Sequence, residues 1–201
     1  MAFLRTASPF EHPVIAGDGL FLRTPSLADY LVWTKLRAES RDFLTPWEPT
    51  WPADDLTRTA FRRRVRRYQA EMRDDTAYPF FIFSTGESTL LGGITLSNVT
   101  RGMTQTATLG YWMGARHANR GHMARAVRAL APFAFRVLHL HRLEAACLPH
   151  NLASMRLLQK CGFHREGLAR GLVCINGRWQ DHVVFSLLSD DLHATPPHTT
   201  P

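Results

Sequence analysis

Two short segments hold residues whose types and spacing can do group-transfer chemistry. The first runs Leu109-Gly110-Tyr111-Trp112-Met113-Gly114 and continues into the loop Asn119-Arg120-Gly121-His122-Met123. It reads as a strand feeding a glycine-bearing loop into a helix. The first turn of a helix leaves backbone N–H groups without intrahelical partners. Together with the helix dipole, those donors hold a phosphate or pyrophosphate. Gly121 lets phosphate oxygens approach with no Cβ in the way, and Arg116, Arg120 and Arg125 add positive charge. Taken alone, a glycine after a strand is also ordinary turn chemistry. The second segment is Pro149-His150-Asn151-Leu152-Ala153-Ser154 and on to Gly162-Phe163. Asn151 and Ser154 lie three apart and share a helix face. Both side chains donate and accept hydrogen bonds. The same pair fits a plain helix start, with Asn151 as N-cap and Ser154 in the first turn.

The elements that must position these residues follow from pattern. Residues 1–18 read as irregular. Gly19–Arg23 reads as a strand, and Ser26 with Asp29 forms a helix-start box leading into Leu27–Ser40. Phe43-Leu44-Thr45-Pro46-Trp47-Glu48-Pro49 is too rich in proline for a helix interior. Asp54 or Asp55 is expected to cap a second helix running to about Asp74, with Phe61, Val65 and Tyr68 on its inner stripe and six arginines between Arg58 and Arg67. Phe80–Ser84, Leu91–Leu96 and Thr106–Met113 read as strands separated by turns at Gly86 and Gly102. A helix from His122 to Leu138 contains Pro132, which predicts a kink or early break. Arg142–Leu148 is a further strand, and Asn151 opens a short helix stopped by Gly162. Asn176-Gly177 between Leu168–Ile175 and Trp179–Leu188 marks a hairpin. Residues 191–201 read as a tail without fixed structure. The order predicts a single α/β domain over residues 19–190 built on a mixed sheet.

Composition bounds the class. The chain has 201 residues and 45% hydrophobic content, enough for one domain with a substantial core. No apolar run has the length of a membrane-spanning helix, and the first residues carry no signal-peptide pattern. Net charge is +7, and 22 of the 24 basic residues are arginine. That balance favours an anionic partner, such as a nucleotide cofactor, nucleic acid, a ribosome or an acidic peptide. Genome composition accounts for the arginine usage equally well. Cys147, Cys161 and Cys174 show no paired spacing, which fits a reducing, cytoplasmic compartment. His139 and His141 form an H-x-H with no third ligand nearby, so no metal is expected.

Taken together, the pattern Asn-x-x-small-x-x-Leu-x-x-Lys-x-Gly-Phe over Asn151–Phe163, with the strand–glycine loop–helix ahead of it, resembles the GNAT superfamily of N-acetyltransferases. The resemblance is closer still to the RimJ type, which acetylates the N-terminal amine of a ribosomal protein. It is carried by Phe43–Pro49, Ser97–Gly102, His141–Ala145 and Trp179–Val183, in order along residues 19–190. It implies a mixed, mostly antiparallel sheet of six or seven strands with about four helices. A central parallel pair, Thr106–Met113 beside Arg142–Leu148, would splay apart to admit the cofactor. The chain departs from the family pattern at Ala118 and Arg125 of the phosphate loop, and at Leu158, where many members carry a tyrosine acid.

The activity implied is transfer of acetyl from acetyl-CoA to an amine, foremost the α-amine of a ribosomal protein. The alternatives are acetylation of a small amine or antibiotic, and a non-catalytic acyl-CoA-binding module on the ribosome. Tyr111, Trp112, Met113, Asn119, Arg120, Gly121, His122, Met123, Asn151 and Ser154 are the expected cofactor residues. Ser154 would act at the departing sulfur in place of the missing tyrosine. For the base, the acidic candidates are Glu48, then Asp181, with Glu144 behind them. The arginine-rich helix is a candidate for contact with ribosomal RNA, and a solvated helix face is the plainer account of it.

Overall fold

The computed structural model describes residues 13–192. Its elements are β1 (Val14–Gly17), β2 (Leu20–Arg23), α1 (Tyr30–Glu39), α2 (Arg41–Leu44), α3 (Arg58–Arg73), β3 (Tyr78–Ser84), β4 (Leu90–Thr100), β5 (Thr106–Met113), α4 (His122–Pro132), β6 (Arg142–Cys147), α5 (Leu152–Lys160), β7 (His164–Ile175) and β8 (Arg178–Leu188). One sheet takes the order β1-β2-β3-β4-β5-β6-β8-β7. Every neighbouring pair is antiparallel except β5 and β6.

Most expected elements are present, with corrections. The sheet has eight strands rather than six or seven. The extra edge is β1, which lies in the stretch expected to be irregular. Gly17 pairs with Leu20 across Asp18-Gly19, and Gly19 takes a φ of 67°. An Asp-Gly pair between two short apolar runs is a hairpin signal. Five helices form rather than four, because α2 closes one turn before Pro46. Neither Asp54 nor Asp55 caps α3. Thr57 does so, accepting from the Ala60 N–H at 3.2 Å. The two aspartates are drawn instead to Arg63 at 2.6 Å and Arg64 at 2.5 Å, because a guanidinium offers a stronger, charge-assisted bond than a neutral amide. The expected helix over 122–138 stays α-helical to Pro132, which supplies no backbone donor, and widens into a π turn over Phe133–Val137. Residues 193–201 of the expected tail lie outside the described residues.

Strand β3 shows how the layers arise. Its side chains alternate between faces. Tyr78, Phe80 and Ile82 join a core containing Leu130 and Leu143, from α4 and β6. Phe81 and Phe83 join a second core with Trp33 and Leu36 of α1 and Phe61 and Val65 of α3. Each buried aromatic or aliphatic side chain is worth about 1.5–3 kcal/mol, so helices are held on both faces of the sheet. The consequence that matters is at the centre. β5 and β6 pair only through Thr106–Arg142, Ala107–Leu143 and Thr108–Glu144. Beyond that point the two strands no longer pair with each other, and a wedge opens between them.

Candidate active site

The wedge is the apex of a cleft of about 650 Å³. Its walls are Leu109–Met113 of β5, Ala145–Leu148 at the end of β6, the loop into α4, the first turns of α5, and Phe43, Leu44, Trp47 and Glu48. A β5 edge that has lost its partner strand presents backbone N–H and C=O groups to whatever enters.

One end of the cleft is built to hold an anion. After β5, the Gly114 N–H bonds the Leu91 carbonyl, and the Ala115 N–H bonds the buried Ser40 hydroxyl at 2.9 Å, which fixes the start of the loop. Asn119 and Gly121 adopt φ of 57° and 75°. These left-handed conformations turn successive N–H groups the same way and suit glycine and asparagine. No side chain caps α4. Its first turn therefore keeps free donors facing the cleft, at the positive end of the dipole. Arg125 donates to His122 Nδ1 at 2.8 Å, and Arg116 donates to His117 Nε2 at 3.1 Å. An arginine can only donate, so each histidine accepts on that nitrogen and carries its proton on the other. Partial burial, reinforced by neighbouring arginines, holds both histidines below their ordinary range. They are neutral donors near pH 7. This set of donors and cations suits a pyrophosphate.

The middle of the cleft holds paired hydroxyls. The Tyr111 hydroxyl, from β5, lies 2.6 Å from Ser154 Oγ, from α5. Asn151 is the N-cap of α5 and accepts from the Ser154 N–H at 3.0 Å. Its capping bond thus orients the serine. Burial pushes the Tyr111 phenol well above its ordinary value, so it stays protonated. Cys147 lines the same wall, and burial raises its thiol against an opposing contact from Ser154. A neutral thiol is a poor nucleophile. Leu158, where many family members carry a tyrosine acid, is buried in the core at 1% exposure and is not part of the cleft wall.

At the opposite end, Glu48 lines the cleft with both oxygens engaged. Arg37 donates to them at 2.9 and 2.7 Å, and the Trp51 indole N–H donates at 2.7 Å. The Arg37 guanidinium sits 4.0 Å from the Trp51 ring and 5.0 Å from the Trp112 ring. Gly93 makes room for that indole, since a Cβ there would lie 2.4 Å from Trp112 Nε1. Asp181 is not in the cleft. It points into an adjoining recess of about 560 Å³ lined by His150, Trp179 and Gln180, and accepts from the Gly171 N–H at 2.8 Å. Glu144 pairs with Arg142 on an exposed face. No group of metal ligands occurs among the described residues. Sequence reasoning missed Arg37, Trp51 and Cys147, which approach the site from remote positions. It also missed His182, which alternation along β8 places in the cleft when Asp181 points out.

The comparisons agree with this geometry. The family model described as Acetyltransferase (GNAT) domain matches residues 19–164. The Bacillus subtilis protein named Probable N-acetyltransferase YjcK is 38% identical, over 89% of this chain and 98% of that protein. The Escherichia coli [ribosomal protein uS5]-alanine N-acetyltransferase is 34% identical, over 82% of each chain. Among solved structures, Mycobacterium smegmatis RimJ in complex with CoA-disulfide superposes with a TM-score of 0.83 at 28% identity, covering 92% of this chain and 90% of that one.

Proposed function

The chain belongs to the GNAT acetyltransferase family, and on that premise we propose that it transfers the acetyl group of acetyl-CoA to the N-terminal α-amine of a protein, foremost a ribosomal one. One observation carries the reading. A wedge between two parallel strands runs from an uncapped helix N-terminus to a hydroxyl pair, in a single continuous cleft. That is the layout needed to hold a pyrophosphate at one point and a thioester at another.

In this reading Asn119, Arg120, Gly121, His122 and Met123 hold the pyrophosphate, chiefly through backbone donors. The Gly114 N–H bonds Leu91 of β4, so by alternation the Trp112 N–H also faces β4 and the Met113 N–H faces the cleft, where it polarises the thioester carbonyl. Ser154, oriented by Asn151 and bonded to Tyr111, donates toward the departing sulfur. Glu48 is locked to Arg37 and is suited to orient the acceptor amine rather than to take its proton. Direct attack is favoured over an acyl-enzyme route because Cys147 stays a neutral thiol.

Two features favour a protein acceptor over a small amine. The uS5-alanine enzyme matches over most of its length. The acceptor end is also wide, with Phe43 and Trp47 exposed at the mouth and Trp179 at 71% exposure on the adjoining recess. An extended chain can lie there, whereas a small amine needs a closed pocket. The bare face of α3 is included as a docking surface for ribosomal RNA. The test is thiol release from acetyl-CoA with a panel of N-terminal peptides and small amines. Turnover is expected on the peptides. Turnover on small amines alone would overturn the acceptor, and CoA binding without any turnover would favour a binding module.

A further inference from the structure

We propose that His182 is the general base that takes the proton from the attacking amine. The proposal rests on the acetyl-transfer reading above and names the group that reading leaves open.

His182 is 6% exposed, and the surface it retains is on the cleft wall. It pairs with Ala169 of β7, one residue beyond the point where β8 last pairs with β6, at Val183 and Cys147. Its ring therefore enters the cleft where the sheet opens. The Nδ1 atom lies 3.0 Å from the Gln180 carbonyl. A carbonyl only accepts, so Nδ1 carries the proton and Nε2 holds a free lone pair. Among the described residues Nε2 has no hydrogen-bond partner, and it is absent from the buried orphan atoms, which are Arg37 Nε, Asp55 Oδ2 and Arg64 Nε. A buried imidazole held in one tautomer by its own strand, with its basic nitrogen open to the cleft, is the arrangement a general base requires.

The other titratable groups of the cleft do not compete. Glu48 has both oxygens on Arg37. Tyr111 and Cys147 are pushed upward by burial and stay protonated near neutral pH. His117 and His122 belong to the phosphate loop, and each spends its acceptor nitrogen on an arginine. The remaining charged groups on the wall, Arg120, Arg156 and Lys160, are cations with no lone pair to accept the proton. Asp181 faces the adjoining recess.

The step balances. The amine nitrogen bonds to the carbonyl carbon, and the carbon–sulfur bond breaks with its electron pair leaving on sulfur. Nitrogen sheds one proton to His182 Nε2. The Tyr111–Ser154 pair supplies one proton to sulfur, and exchange with solvent restores both groups.

The test uses His182→Ala and His182→Gln in the full chain with an N-terminal peptide acceptor. Rates are expressed per unprotonated amine, which removes the acceptor's own titration. Both variants are expected to lose about 100-fold in kcat/KM at neutral pH, to lose the acidic limb of the wild-type profile, and to keep the wild-type Kd for CoA. Nitrogen-15 NMR of the wild-type imidazole is expected to find the proton on Nδ1 and an unprotonated Nε2. Variants within threefold of wild type with the acidic limb intact, or a proton on Nε2, would overturn the assignment. So would loss of that limb in Glu48→Gln alone. Wild-type turnover with unchanged His182 variants would sink only this inference, whereas absence of wild-type turnover on every amine would sink the acetyl-transfer reading with it.

Discussion

A serine on the first turn of a helix is commonplace, and only its partners make Ser154 distinctive. Asn151 fixes its backbone at 3.0 Å and Tyr111 fixes its hydroxyl at 2.6 Å. In the proposed mechanism the two hydroxyls act as one donor, with Ser154 nearer the departing sulfur and a neutral phenol behind it. Ser154→Ala is expected to lower kcat by about 10- to 100-fold while leaving CoA affinity within about twofold. Tyr111→Phe is expected to give a smaller loss in the same direction. The double variant should be little worse than Ser154→Ala, because residues that act as a unit are not additive. Steady-state kinetics with CoA calorimetry check this, and independent, multiplicative losses would separate the two hydroxyls. At this scale the sequence was informative only where partners are close along the chain. Asn151 and Ser154 were legible because a capping bond spans three residues. Tyr111 was legible as a strand residue, but its hydroxyl partner lies 43 positions away. The Arg37–Glu48–Trp51 group and the ring of His182 depend on packing between elements, which no local pattern encodes.

Element by element, helix α3 shows how structure narrows a charge argument. Six arginines between Arg58 and Arg67 look alike in sequence. In the fold Arg63 and Arg64 pair with Asp54 and Asp55, and Arg67 pairs with Glu71. Arg58, Arg62 and Arg66 are exposed, make no ion pair among the described residues, and recur every four positions on one face. Ribosomal docking through this helix would use that face. Arg62→Ala with Arg66→Ala is expected to weaken co-sedimentation with ribosomes several-fold and to flatten its salt dependence. Arg63→Ala with Arg67→Ala should have less effect, and equal losses from the two pairs would argue against a defined docking face. The order of elements was legible because helix and strand periods differ and glycine, proline and Asn-Gly punctuate them. Of the first hairpin β2 was legible and β1 was not, since four residues at the outer edge are too few for periodicity to register, although Asp18-Gly19 marked the turn.

Across the molecule, the expected sheet with a splayed parallel pair is present, extended by one edge strand. No helix among the described residues is long and apolar enough to cross a membrane. The opening between β5 and β6 costs this sheet part of a ladder at its centre, where most folds are strongest. The two halves, β1 to β5 and β6-β8-β7, are then joined by three residue pairs and by the helices packed across them. Something that fills the gap supplies backbone partners that the chain lacks. Acetyl-CoA is therefore coupled to folding as well as to catalysis. At a hundredfold excess over its Kd, a ligand that binds only the native state stabilises it by about 2.7 kcal/mol. For a chain of this size that corresponds to a Tm rise of about 5–10 °C. Thermal melts across a CoA titration should show that rise, and a Tm that does not move would mean that CoA does not bind the native state in preference to the unfolded chain. The metabolic supply of acetyl groups would in this way set the lifetime of the enzyme along with its rate.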